Sequence, residues 1–311
     1  MKIRPPTAPA PPSAGTRRRV GPRARRDAIA FLAFVSPNFL LLGVFVFWPI
    51  LYSLRLSFFK WNMIAPRQTF IGLDNYRALF SDPVFWKSTS NTLVLALASV
   101  SLTLCISLIL AVRLNSGARG SSVYRAIIFS PTFTTSVAVA MVWSWIFEPT
   151  YGLLKVFLEP LGIASPHWLL DVDYSLPAVI IVLVWSGLGY NMVIFLAGLK
   201  NIPREIYEAA RVDGVNAWQN FRHITFPLLS PTTFFLTITS FIGALKAFDI
   251  VSIMTDGGPL NSSNVLVLYL YQNAFQWFRA GYASALALLL FVFIMAVTLV
   301  QNRLSRRWVH Y

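Results

Sequence analysis

The stretch Arg204–Leu229, REIYEAARVDGVNAWQNFRHITFPLL, holds Arg204, Glu205, Glu208, Arg211, Asp213, Arg222 and His223 in a chain of which only 12% is charged. Groups of these types can hold a metal, take part in catalysis, or pair with one another and with another surface. The first two fail here. His167, His223 and His310 lie too far apart for a ligand motif. The single Cys105 sits inside an apolar run, where it reads as a small packed residue. No phosphate-binding loop, zinc-protease motif or nucleophile elbow occurs. The chain is therefore read as binding no cofactor of its own and as not hydrolysing ATP by itself. Pairing and contact remain: Arg204 and Glu208, four apart, can meet on one helix face.

Local signals shape this stretch into two helices. Pro203 suits a first turn, where its missing N–H is not needed. Glu205 and Glu208 then fall in the early turns, favourably placed for the helix dipole. Ile206, Ala209, Ala210 and Val212 supply an apolar side. Gly214 stops the helix as a left-handed residue. Asn216 caps a second helix, with Gln219 completing a capping box. Trp218 and Phe221 fall on one side of it, and Pro227 ends it. Local physics leaves two roles open for this helix–Gly–helix unit: an amphipathic connector on a membrane surface, or an element on which another protein docks.

The rest of the chain decides what surrounds it. It has 311 residues, 56% hydrophobic and 12% charged, against about 25% charged in soluble proteins. The runs Leu93–Leu110, Leu176–Leu199 and Ala283–Val300 approach the roughly 20 residues that cross a bilayer as a helix. The fold class predicted is all-α and integral to the membrane, with six spans at about 28–54, 90–112, 126–147, 175–198, 228–250 and 280–301. Pro37 and Pro49 make the first a kinked helix. Residues 1–27, rich in Pro, Ala and Arg, read as a disordered basic tail. Residues 28–302 form one six-span domain, and 303–311 a short second tail.

The net charge of +14 would ordinarily raise nucleic acid as a partner. The positives instead sit in short segments between spans, which is a topology signal. With the N-terminus inside, the basic tail, Arg113, Arg119, Arg125, Lys200, Arg204, Arg211, Arg222 and the Arg303–Arg307 cluster are cytoplasmic. Fewer lie outside: Arg55, Lys60, Arg67, Arg77, Lys87, Lys155 and Arg279. Both termini and the Arg204–Leu229 stretch are then cytoplasmic.

One pattern is more specific. Glu208-Ala209-Ala210, three residues, Gly214, nine residues, Ile224, one residue, then Phe226-Pro227 resembles the EAA signature of bacterial ABC-importer permeases, with Phe226 where that family usually has Leu. The resemblance extends from about Ala28 to Arg307. FVSPNFLLLGVFVFWPILYSLRLSFFKW looks like the first span of sugar-type permeases, and KAFDIVSIMTDGGP resembles their fifth-span exit. The subfamily implied takes up carbohydrates, of the maltose and glycerol-3-phosphate type, in the bacterial cytoplasmic membrane. The resemblance also implies the partners: a second permease, two cytoplasmic ATPases that bind ATP and Mg, and an external binding protein or lipoprotein. It makes 204–227 a coupling helix seated in the ATPase, with Glu208, Ala209, Ala210, Gly214, Ile224 and Pro227 as its signature positions.

Polar residues inside spans are costly and are functional candidates by default. The fourth span holds Trp185, Ser186, Gly187, Gly189, Tyr190 and Asn191, and the resemblance puts the pathway on this helix and the next. An aromatic beside hydroxyl and amide groups suits a sugar. The competing reading is helix packing through small residues. Lys246 and Asp249, three apart near the outer end of the fifth span, are expected to form an ion pair, with an anionic substrate group as the alternative partner of Lys246. Two rivals are weighed. A secondary transporter would show inverted repeats and paired broken helices, and a membrane enzyme would show a catalytic constellation. Neither signal is seen in the sequence.

Overall fold

A computed structural model describes residues 22–64, 66–115 and 120–308. Most of the basic tail, Arg119 and His310 lie outside the described residues. The chain divides into two units, Met1–Tyr52 and Ser53–Tyr311.

The described part of the first unit is helical. Helix α1, Pro22–Leu42, runs through Pro37, and a π turn, Gly43–Phe47, leads into α2, Trp48–Leu56. Pro49 has no N–H for the ladder, and its ring displaces the carbonyl one turn back. The wider turn just before it accommodates that loss. Phe34, 89% exposed, typifies the apolar surface of this segment.

The second unit continues with the two-residue strands β1, Phe59–Lys60, and β2, Thr69–Phe70, paired antiparallel. Short α3, Asp74–Phe80, precedes the 33-residue α4, Pro83–Asn115. Helix α5, Ser121–Phe129, passes through a 3₁₀ turn, Ser130–Phe133, into α6, Ser136–Ile146. Short α7, Leu153–Leu158, and then α8, Ser175–Lys200, follow. Helix α9, Arg204–Val212, and α10, Ala217–Asn220, form the charged hairpin. A π turn, Phe221–Thr225, and α11, Phe226–Leu228, lead to α12, Ser230–Leu245. Helices α13, Asp249–Met254, and α14, Leu266–Tyr271, precede the 29-residue α15, Ala280–Trp308.

Among the described residues, four helical segments are long and apolar enough to cross a membrane: Ala30–Leu56, Pro83–Asn115, Ser175–Lys200 and Ala280–Arg303. The other two expected spans are not continuous helices. Ser121–Phe133 meets Ser136–Ile146 at 105°, and Ala217–Leu228 meets Ser230–Leu245 at 65°. Pro131, in the 3₁₀ turn just before the first break, and Pro231, in the first turn after the second, weaken the ladder beside each bend.

The core follows α8. Its fully buried Ala178, Val179 and Val182 pack with Leu95 of α4, Ala140 of α6 and Val251 of α13. Toward the other end, Met192, Phe195 and Leu199 pack with Ala111, Leu229 and Leu236. A third cluster joins Leu79, Tyr269, Ala285 and Leu286. Buried Asn91 ties α4 to the loop before α14, donating to the Asn261 and Asn264 carbonyls at 2.8 and 2.9 Å.

Asp82 braces α4, α14 and α15. Its carboxylate accepts from the Tyr269 hydroxyl, from Tyr282 at 2.7 Å and from the Val84 N–H at 2.8 Å. Burial pushes the Asp82 carboxyl up, but these hydrogen bonds outweigh it and hold it below the usual carboxylate value. A depressed folded value contributes stability that is present above the unfolded value. That stability is lost as pH falls through the folded one. Asp82→Asn is expected to lower stability at neutral pH by about 1 kcal/mol after solvent screening, with a lower melting temperature, and to flatten the loss below about pH 4. Thermal unfolding followed across pH checks this.

Candidate functional site

The charged hairpin is built by two helix-end devices. At the end of α9, the Val215 N–H bonds to the Ala210 carbonyl at 3.0 Å and the Gly214 N–H to Arg211 at 3.1 Å. This is a Schellman motif, which requires a left-handed residue at Gly214, and φ there is +75°. Two residues on, the Asn216 side chain accepts from the Gln219 N–H at 2.9 Å. The Gln219 side chain accepts from the Asn216 N–H at 3.0 Å in return. The expected capping box is present.

Other local expectations are corrected. Arg204 and Glu208 form no ion pair, because both are exposed and water solvates them as well as they would each other. The expected apolar side of α9 is only partly inward. Ala210 is buried, with Tyr207 packed against the core, while Val212 is 88% exposed and Ile206 is exposed too. Pro227 does not end the second helix. The π turn Phe221–Thr225 absorbs its missing N–H, and the chain stays helical to Leu228. Pro227 stands six residues after the start of its π turn, as Pro49 does after Gly43. Trp218, 66% exposed, stacks on Phe221 at 5.9 Å and 29°.

The signature positions take different places. Glu208, Ala209 and Gly214 face solvent, Ile224 and Pro227 are half-buried, and Ala210 is buried. An added Cβ at Gly214 would meet nothing within 4 Å. The hairpin thus offers a low, open ridge of small residues beside an exposed Trp.

The second feature is a cavity of about 290 Å³ between α4, α8 and α12. Ser186, Gly187, Tyr190 and Asn191 line it from α8. Trp185 does not, because it turns away and packs on Trp143 with ring centroids 5.4 Å apart. Lys246 and Asp249 do not line it either. Their expected ion pair does not form, because α12 ends at Leu245 and α13 starts at Asp249, so three-residue spacing no longer shares a face. Asp249 instead accepts from the Ser136 hydroxyl at the start of α6.

Sequence reasoning missed the other walls: Ser99 and Thr103 on α4, and Thr239, Ser240 and Gly243 on α12. Their signal was visible as hydroxyls within apolar runs, but nothing local singles out these hydroxyls from others in the same runs. Asn191, 4% exposed, is the hub. Its amide donates to the Gly187 carbonyl at 2.8 Å, and its oxygen accepts from Ser240 at 3.1 Å, joining α8 to α12. Ser107 joins α4 to α8 through the Leu188 carbonyl at 3.0 Å. Among the described residues, no group of three or more His, Cys, Asp or Glu could hold a metal ion.

Residues 103–310, which include the hairpin and the cavity walls from α8 and α12, match the family described as binding-protein-dependent transport system inner membrane component. The chain belongs to this family. This permease is 36% identical over 283 residues to the lactose transport system permease protein LacF of Rhizobium radiobacter, covering 88% of this chain and 93% of that one. It is 32% identical over 278 residues to the sn-glycerol-3-phosphate transport system permease protein UgpA of Brucella abortus, covering 89% and 94%. Its fold is that of a chain in the crystal structure of a bacterial alginate ABC transporter in complex with alginate pentasaccharide-bound periplasmic protein. That match has a TM-score of 0.80 and 24% identity, covering 92% of this chain and 96% of that one. The permease is a multi-pass transport component of the inner membrane.

Proposed function

We propose that this permease forms half of the translocation pathway of an ATP-driven importer for a sugar or glycerol-phosphate-type solute. Each bent helix pair counts as one span, giving six, with both termini and the α9–α10 hairpin in the cytoplasm. The hairpin seats on an ATPase subunit, with Glu208, Ala209, Ala210, Gly214, Ile224 and Pro227 shaping the contact. Two such ATPases bind ATP and Mg, a second permease completes the pathway, and an external binding protein delivers the solute. The observation that carries this reading is the cavity between α4, α8 and α12. Its walls are neutral hydroxyl and amide groups with one aromatic, Tyr190, which suits a solute with polar edges and apolar faces.

Closure of the ATPase dimer would push the two hairpins together. The bends at Thr134–Thr135 and Leu229 give the spans places to pivot without breaking the α8 core. Energy must arrive this way, because the chain carries no phosphate-binding loop of its own.

The test is vesicle uptake. Vesicles holding the assembled importer should accumulate sugar when ATP and the binding protein are supplied, and vesicles lacking the ATPases should not. In the same vesicles, single cysteines placed at 214, 171 and 257 in a Cys105→Ser background should label from the cytoplasmic side at 214 only. Uptake without the ATPases, or external labelling at 214, would sink the reading.

A further inference from the structure

A second cavity, of about 430 Å³, lies where the ends of α4 and α8 meet α9, and it is separate from the pathway cavity. Three cations line it: Lys200, the last residue of α8, and Arg204 and Arg211 of α9. Arg204 and Arg211 are seven apart, two turns along one helix face. Tyr207 lies between them and holds the hairpin to the π turn through the Thr225 hydroxyl at 3.3 Å. Among the described residues, no acidic side chain lines this cavity. Glu205 and Glu208 share α9 with the two arginines and Asp213 follows it, yet none forms an ion pair with these cations.

Lys200, Arg204 and Arg211 are exposed and form no ion pair, and an anion seated in the concavity they share would lower their mutual repulsion. The Tyr207 and Thr225 hydroxyls and the Asn115 amide add neutral hydrogen-bonding groups, and Val112, Leu199 and Ile202 supply apolar wall. Helix C-terminal carbonyls nearby would oppose an anion, but several of them are already engaged. The Leu114 carbonyl accepts from Arg125 at 2.7 Å, and the Ala197 and Gly198 carbonyls accept from the Asn201 N–H. The cavity also sits at the ends of two membrane-length helices, the depth at which lipid headgroups lie. Arginine pairs with phosphate oxygens in a two-pronged geometry that water does not match.

We infer that the Lys200–Arg204–Arg211 cavity is a binding site for a phosphate group, carried by an anionic phospholipid headgroup or by a free phosphate ion. The proposal depends on the cytoplasmic placement of the hairpin only for which leaflet would supply the lipid. Occupancy would fix the angle between α8 and the hairpin, so lipid composition would tune coupling.

The experiment uses the assembled importer in nanodiscs of phosphatidylcholine, with or without phosphatidylglycerol, and mass spectrometry of the intact complex to count retained lipid. Wild type is expected to retain phosphatidylglycerol over phosphatidylcholine. Lys200→Gln, Arg204→Gln and Arg211→Gln should each weaken retention about fivefold, and Arg211→Lys should restore most of it. Lys200→Gln lies on a different helix from the arginines, so a misfolded hairpin cannot explain agreement among all three. If phosphatidylglycerol is not preferred but inorganic phosphate binds and the variants lose it, the site takes a free anion. If the variants change neither lipid retention nor phosphate binding, the proposal is overturned. It is equally overturned if they instead release the ATPase subunits while lipid and phosphate binding stay at wild-type levels, because the cations then face protein carboxylates.

Discussion

Gly214→Val is expected to reduce coupled sugar uptake at least tenfold while the chain still reaches the membrane. The residue closes the Schellman motif at φ +75°, a conformation that costs a residue with a Cβ about 1–2 kcal/mol. Space is not the constraint, since an added Cβ meets nothing within 4 Å. A β-branched residue strains that turn, and the angle between α9 and α10 is expected to shift to relieve it. Gly214→Asn separates turn from surface. Asn tolerates the left-handed region and should retain most of the uptake. Gly214→Asp has nearly the same backbone tolerance but adds a carboxylate. If the open ridge of Ala209 and Gly214 seats against an ATPase, that charge becomes buried without a partner, at a cost of several kcal/mol, and uptake should vanish. Uptake and ATPase co-purification measured on the three variants decide the matter. Wild-type uptake by Gly214→Asp would make the hairpin a mere connector.

Gly189→Ala should deplete the folded protein from the membrane. A Cβ there would lie 2.4 Å from the Ile128 carbonyl oxygen and 2.7 Å from the Phe129 Cα. Both are backbone atoms of α5, which cannot rotate out of the way as a side chain can. Overpacking of this kind costs about 3 kcal/mol, the upper part of its usual range. Gly187, two residues earlier, gives the contrast. A Cβ there meets the Thr103 side chain at 3.1 Å, and that methyl can yield. Gly187→Ala should therefore accumulate normally and change uptake through the cavity it lines. Immunodetection of each variant, paired with the KM for uptake, separates the two. Equal loss of protein from both would mean that Gly187 too is only a packing residue.

What the sequence made legible was what local chemistry controls. Gly214, Asn216 and Gln219 act on their own neighbours, so their spacing alone predicts the Schellman end and the capping box. The tertiary decisions were not legible. Pro37 lies inside a helix that simply continues, whereas Pro131 and Pro231 stand beside breaks of 105° and 65°. A proline removes one ladder bond, and the packing around it decides whether the helix bends. The Lys246–Asp249 expectation failed for the same reason, since its spacing has meaning only along an unbroken helix. The cavity was half visible. Tyr190 and Asn191 stood out as polar groups in an apolar span, but Ser99, Thr103, Thr239 and Ser240 join them from helices distant in sequence. No periodicity within α4 or α12 separates these hydroxyls from others that merely bond to their own backbone.

That last distinction bears on what a solute would meet in the pathway cavity. Most lining hydroxyls have already given their hydrogen away: Ser186 to the Leu183 carbonyl, Thr239 to Phe235 and Ser240 to Asn191. The Asn191 amide has given one of its two hydrogens to Gly187. What these groups turn toward the lumen is mainly lone pairs, with Thr103 and Tyr190 as the uncommitted hydroxyl donors. Among the described residues, no charged side chain lines the space. Such a wall receives protons more readily than it offers them. A polyol, whose every hydroxyl brings its own hydrogen, can exchange water for wall one bond at a time. A bare anion, rich in lone pairs itself, would give up its hydration shell and find little on this side to replace it.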